Sequence, residues 1–254
     1  MTDSGKAAGK PAKPVTQSKR AHWLAIVGLL LIALSGPLAK AGLFSPMLGM
    51  LGYTIASLLL FIALIIAALA LFGNRNSNVL QNSWTTWLVV ALGVGITGLN
   101  VATINSSRGS PAIHDITTDV NNPPEFVDIV ALREADDAAN PSEYLDNGSA
   151  ELQLAAFPEI RTIVLQESYD EVFADALDAT EDMGWQIVTA NLAEGRIEAV
   201  ATTGYVGFKD DVVIRIRKDG NAVAVDIRSK SRMGKGDMGA NAKRIVAWTD
   251  ELID

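Results

Sequence analysis

Residues Asp211 to Ser231 read Asp-Val-Val-Ile-Arg-Ile-Arg-Lys-Asp-Gly-Asn-Ala-Val-Ala-Val-Asp-Ile-Arg-Ser-Lys-Ser. Val212, Ile214 and Ile216 recur at every second position, as do Val223, Val225 and Ile227, and Asp219-Gly220 stands between the two runs. This is the pattern of a β-hairpin with one buried face. A two-residue Asp219-Gly220 loop sets Lys218 opposite Asn221 and pairs Ile216 with Val223, Ile214 with Val225 and Val212 with Ile227. The other face then pairs Arg217 with Ala222, Arg215 with Ala224, Val213 with Asp226 and Asp211 with Arg228.

The same parity gathers Arg215, Arg217, Arg228, Lys230 and Arg232 on the polar face. Just beyond, Gly234, Lys235, Gly236 and Gly239 lead into an amphipathic helix marked by Met238, Ala242, Ile245, Trp248 or Thr249, and Leu252, with Asp237 as its N-cap. Arg215, Arg217, Arg228, Lys230, Arg232, Gly234 and Lys235 are therefore the candidate ligand-binding set, and the ligand they suit is an anion. Two features weigh the other way. Asp237 as cap competes for the same N–H groups, and a solvated strand face neutralised by Asp211 and Asp226 would show the same alternation. The loop lacks the spacing of a phosphate-binding Walker motif.

Working outward, Trp185 to Leu192 and Arg196 to Tyr205 read as two more strands joined by Ala193-Glu194-Gly195. Ser168 and Glu171 form a capping box for a helix that Gly184 closes, its inner face carrying Val172, Phe173, Ala176, Leu177, Thr180 and Met183. Arg161 to Leu165 adds a short strand. The expected fold is α+β: an antiparallel sheet of four or five strands with two helices on one face. Between residues 106 and 160 a polar linker gives way to an arm interrupted at Pro123-Pro124, Pro141 and Pro158, which is expected to wrap the domain with few regular elements. The α+β domain proper spans residues 161–254.

The first hundred residues are of another kind. Between Ala21 and Ser107 the only charged side chains are Lys40 and Arg75. Uncharged apolar runs begin at Trp23, Ala41 and Trp84, and a spanning helix needs about 20 apolar residues, so residues 21–105 predict three transmembrane helices with a break at Ser45-Pro46. Residues 1–20 form a basic tail without apolar period, expected to be disordered. With five cations in that tail and Arg75 in the connector 74–83, the positive-inside rule places both in the cytosol. Three spans then put the C-terminal domain outside the cytoplasm, at the inner membrane. No charged group lies mid-span, so the spans read as an anchor rather than a transport path.

Composition narrows the chemistry further. Beyond Ser107 the chain holds 14 Lys and Arg against 28 Asp and Glu, a net charge of −14, which disfavours nucleic acid as a partner. There is no cysteine, and the two histidines, His22 and His114, are far apart, so thiol chemistry and multi-histidine metal sites are excluded. Asp128, Glu134, Asp136 and Asp137 fit no calcium-loop spacing. No cofactor, metal site or catalytic residue is called for.

Asn122-Pro123-Pro124, Phe157-Pro158, Met183-Gly184-Trp185, Gly195-Arg196-Ile197-Glu198-Ala199, Phe208, Asp210-Asp211-Val212, Arg228 to Arg232 and Gly239-Ala240-Asn241 together resemble the bacterial and plastid family grouped as domain of unknown function 1499, over roughly residues 114–254. That resemblance implies domain limits and no activity. The functional expectation is a membrane-anchored extracytoplasmic binding or scaffold module that recognises an anionic lipid, another anionic envelope component or a protein partner through its basic sheet face. The alternatives are a carboxylate- or metal-dependent hydrolase using Asp210, Asp211 or Glu198, and a structural subunit of a membrane complex.

Overall fold

The structure is a computed structural model that describes residues 14–73, 84–145 and 147–254. It separates into two compact units with the boundary between Ser106 and Ser107. Residues 1–13 of the basic tail and the connector 74–83, with Arg75, lie outside the described residues.

The first unit holds three helices long and apolar enough to cross a membrane: α1 (Pro14–Lys40), α2 (Pro46–Gly73) and α3 (Trp84–Ser106). Residues 14–20, expected in the disordered tail, continue α1 instead. Pro14 suits a first helical position, because that N–H has no intrahelical partner. The break at Ser45-Pro46 stands where expected, α2 starting at Pro46 with the Leu48 N–H donating to Ser45 Oγ. Small residues let the helices approach: a Cβ on Gly52 would sit 2.5 Å from Ser35 Cβ, and one on Gly93 2.7 Å from Leu64 Cβ. Tyr53 donates to Asn100 Oδ1 at 2.7 Å, tying α2 to α3 by a polar contact.

The second unit is the α+β domain. Its sheet has β1 (Asp115–Thr117), β2 (Ile163–Leu165), β3 (Gln186–Asn191), β4 (Arg196–Thr202), β5 (Lys209–Asp219) and β6 (Ala222–Ser231). The order is β1-β6-β5-β4-β3, every pairing is antiparallel, and β2 shares the outer side of β6 with β1. The strand beyond the expected count is β1, which lies in the stretch read as linker.

One face of the sheet carries the apolar core. Ile197, Val212, Ile214, Ile216, Val223, Val225 and Ile227 pack against Val172, Phe173 and Ala176 of α6 (Tyr169–Asp182) and against Ile245, Trp248 and Leu252 of α7 (Ala240–Ile253). The two long helices thus lie on one face as expected. Ser168 and Glu171 form the capping box of α6, and Gly184 follows its end with φ +68°. Trp248 is fully buried and donates Nε1–H to Thr180 Oγ1 at 3.1 Å, so its one polar atom is satisfied.

The hairpin register differs from the expected one by two residues. Asp219 pairs with Ala222, Ile216 with Val225, Ile214 with Ile227, and Val213 with Arg228. The loop is Gly220-Asn221, with positive φ at Gly220, as a turn with glycine at its first central position requires. A shift of two preserves parity, so each side chain stays on its expected face and only its cross-strand partners change. Asp211 consequently faces Lys230 rather than Arg228.

The arm supplies a second layer on the opposite face. It carries α4 (Ile129–Ala135) and α5 (Ser149–Ala156), more regular structure than its prolines suggest. Phe126 and Ile129 pack on Val200 and Val213 in a small apolar cluster. The buried amide of Gln153 accepts from Thr117 N at 3.1 Å and donates to Thr117 O at 2.6 Å, satisfying both backbone groups on the free side of β1.

Candidate functional site

Antiparallel register builds a charged row across the second face. Asp115 on β1, Lys230 on β6 and Asp211 on β5 are cross-strand neighbours. Arg228 on β6 and Arg232 just beyond its end stand two residues to either side of Lys230, within diagonal reach of the same carboxylates. Arg228 meets Asp115 in a two-pronged pair, Nε–Oδ1 and Nη2–Oδ2 both at 2.9 Å. Its other N–H groups donate to Pro124 O at 3.0 Å and Ser142 O at 2.9 Å. The guanidinium lies 4.7 Å from the Phe126 ring centroid and 5.4 Å from that of Tyr144. Arg232 grips Asp211 with Nη2–Oδ1 at 2.6 Å and also pairs with Asp136, while Arg133 of α4 reaches Asp211 from the arm.

The arm therefore covers the basic face and supplies most of its partners. Arg228, Lys230 and Arg232 are 1%, 1% and 4% exposed. Desolvation is the largest influence on each group of this row whose pKa moves. Burial lowers Lys230 and Arg133 despite the carboxylates beside them. For Arg232 burial also lowers, but hydrogen bonds and charge from Asp211 and Asp136 outweigh it and the pKa rises. Arg215 and Arg217 point to the other end of the row, where both meet buried Asp226, at 2.7 and 3.3 Å. Arg217 remains partly exposed.

The glycine-rich turn is occupied by protein. Asp237 accepts from Gly239 N at 2.8 Å and Asn241 N at 2.7 Å, so a carboxylate holds the start of α7, although the cap position itself is Gly239. The glycines make room for the chain that arrives from the first unit: a Cβ on Gly236 would stand 3.0 Å from Ala112 Cα, and one on Gly239 2.5 Å from Ser110 Oγ. Backbone bonds fasten this passage, Asp237 N to Ile113 O at 3.2 Å and Ser231 N to His114 O at 2.9 Å. Gly234 offers its carbonyl to Asn140 Nδ2 at 2.9 Å.

Lys230 and Lys235 do come together with open space. They line a cavity of about 420 Å³ with Ala112, Ile113, His114 and Asp115 on one side and Asn140, Pro141, Leu145, Asn147 and Ser149 of the arm on the other. Lys230 Nζ lies 2.7 Å from Glu143 O and 2.9 Å from Asp115 Oδ2. An ammonium has three N–H donors, and these two oxygens account for two of them among the described contacts. Lys235 is exposed, and its carbonyl lies 3.3 Å from His114 Nδ1.

The carboxylates considered for hydrolysis are each engaged elsewhere. Buried Glu198 accepts from Val127 N at 2.7 Å and Ile129 N at 2.8 Å, fastening the arm at the start of α4, and pairs with Arg196. Asp210 turns to the helix face and meets Arg244 of α7 at 2.6 Å, while Asp211 turns to the arm. Among the described residues no group of three acids or histidines is arranged to hold a metal. Asp115, His114, Asn140 and Arg133 complete the charged row and cavity and were not singled out from sequence. All four lie within the stretch of the family resemblance, but none is among the residues that carry it, and His114 was noted only in excluding a multi-histidine site.

No curated protein matches the chain. Residues 115–252, more than half of the chain, match the family described as protein of unknown function (DUF1499), and the limits of that match enclose β1, the arm, the sheet and nearly all of α7. The chain belongs to the DUF1499 family.

Proposed function

We propose that this protein is a membrane-anchored binding module of the cell envelope, holding an anionic envelope component in the cavity beside Lys230 and Lys235. The tail of five cations supports a cytosolic N-terminus and, across three spans, an extracytoplasmic C-terminal unit at the inner membrane. The carrying observation is Lys230, a buried ammonium with two described oxygen partners that, with Lys235, lines a 420 Å³ cavity in a region of net charge −14. Arg228 and Arg232, whose partners are internal, act as scaffold for that site rather than as its contact surface.

The test is thermal unfolding of the full chain in lipid nanodiscs with inorganic phosphate, pyrophosphate and citrate as probes. A ligand at 100 times its Kd stabilises by about 2.7 kcal/mol. The expected result is a rise with at least one anion that Lys235→Ala removes without changing the unliganded midpoint. Unchanged midpoints with every anion would end the anion reading. A second reading, a subunit of a larger membrane complex, draws on Val127, Leu132 and Leu152 of the arm, exposed at 53%, 40% and 50%. A photo-crosslinker at Leu132 that captures a defined membrane partner in cells would favour it.

A further inference from the structure

The cavity wall is chemically mixed, and this names the class of its ligand. Its lining holds His114, Lys230 and Lys235, with the acidic Asp115 among them, beside the apolar Ala112, Pro141 and Leu145. A site for a bare inorganic anion has no use for that apolar part, which an ion leaves wet. Leu145 is 55% exposed while also lining the cavity, so the apolar wall continues outward at the mouth. The volume is at the small end of ligand pockets, enough for a single charged group and a short stem.

Resting on the anion reading above, we infer that the cavity takes an anionic amphiphile: one phosphate or carboxylate head with an apolar stem. The head accepts from the third N–H of Lys230 and from the Lys235 ammonium by charge-assisted bonds. The stem lies on Ala112, Pro141 and Leu145 and leaves by the mouth. Asp115 disfavours a large negative charge close to Lys230, which selects a single phosphate or carboxylate head over a pyrophosphate. Such a molecule has two sources, a lipid of the bilayer and a dissolved amphiphile. Five residues of chain lie between Ser106, the last residue of α3, and Ala112.

The experiment titrates the full chain, in phosphatidylcholine nanodiscs, with hexyl phosphate and with inorganic phosphate by calorimetry, using empty discs as the blank. Hexyl phosphate is expected to bind at least about tenfold more tightly, the effect of moving two methylene groups out of water. Leu145→Ser is expected to erase that preference and leave phosphate binding as it was. Lys235→Ala is expected to weaken both, with the unfolding midpoint confirming that each variant is folded. Equal affinity for the two probes would overturn the amphiphile while leaving the anion site standing. Absence of binding for both would remove site and class together. Discs that also contain phosphatidylglycerol separate the sources: lost hexyl phosphate binding assigns the site to a membrane lipid, and unchanged binding assigns it to a dissolved amphiphile.

Discussion

The centres of the two faces of the sheet are both buried, one among apolar side chains and the other largely among charged ones. On the helix face Ile197, Val212, Ile214 and Ile227 are fully buried among apolar side chains. On the arm face Glu198, Asp211, Asp226, Arg228 and Lys230 are buried to the same degree. The first layer is held by removing carbon from water, an effect without direction. The second is held by groups that must each find a partner, because an unpaired buried charge is costly. An apolar face tolerates any helix that covers it, whereas the charged face accepts only the arm whose carbonyls and acids stand where Arg228, Lys230 and Arg232 can use them.

The sharpest way to break this contrast is to remove one charge. Arg228→Ala leaves Asp115 buried with half its pairing gone and is expected to cost about 3–5 kcal/mol, against about 2–5 kcal/mol for Ile214→Ala on the other face. Both are read from denaturant unfolding of the full chain in detergent. A cost for Arg228→Ala below about 1 kcal/mol, the scale of a surface pair, would mean that the arm leaves its face in solution. Glu198→Gln, which sets an amide against the N–H groups of Val127 and Ile129, is expected to cost about 1–3 kcal/mol. Its signature is faster hydrogen exchange at those two amides with the β4–β5 ladder still protected; uniform exchange across both would show the two layers to be one cooperative unit.

On the helix side, Ser168→Ala removes the hydroxyl that caps α6 and is expected to cost about 1 kcal/mol, checked by the same unfolding curves. The smallest effect is a pH dependence. Burial raises the Asp136 pKa, but the bonds and charges of Lys209 and Arg232 prevail and hold it below its ordinary 3.8. A carboxyl depressed in the folded state contributes stability above its unfolded value and loses it as pH falls through the folded one. Asp136→Asn is therefore expected to lower stability at neutral pH and to flatten its decline below pH 3.8. A decline of unchanged steepness would place the acid sensitivity elsewhere. The side chain is 37% exposed, so the difference is small.

Period-two alternation was enough to assign every hairpin residue to its face, and it survived the two-residue error in register because parity is insensitive to a shift of two. The turn was misjudged because Asp219-Gly220 and Gly220-Asn221 are both good hairpin dipeptides, and only the backbone at Gly220 chooses between them. The capping box of α6 was legible because both its partners lie within four residues. The arm face was not, because its decisive contacts are remote in sequence: Arg228 and Asp115 are 113 residues apart, Glu198 and Val127 71. A row of alternating cations looks the same whether water or an arm lies on it. The short β1 was hidden for a related reason, since three residues carry no period and its pairing is dictated by β6. The glycines were seen, but glycine marks a close approach without naming what approaches, and here the approaching group is Ser110 and Ala112 rather than an anion.

The passage of Ile113 to Asp115 along the end of β6 has a mechanical consequence. Any tension carried along the chain from Ser106 reaches, before the rest of the sheet, a group of fastenings that act in parallel: the Ile113 carbonyl under Asp237 N, the His114 carbonyl under Ser231 N and Asn241 Nδ2, and the Asp115 carboxylate under Arg228 and Lys230. Bonds loaded side by side share a force, whereas bonds loaded one after another fail in turn. The domain is moored by a splice at its first strand, and a pull along the chain before it loads that splice ahead of the hairpin behind it.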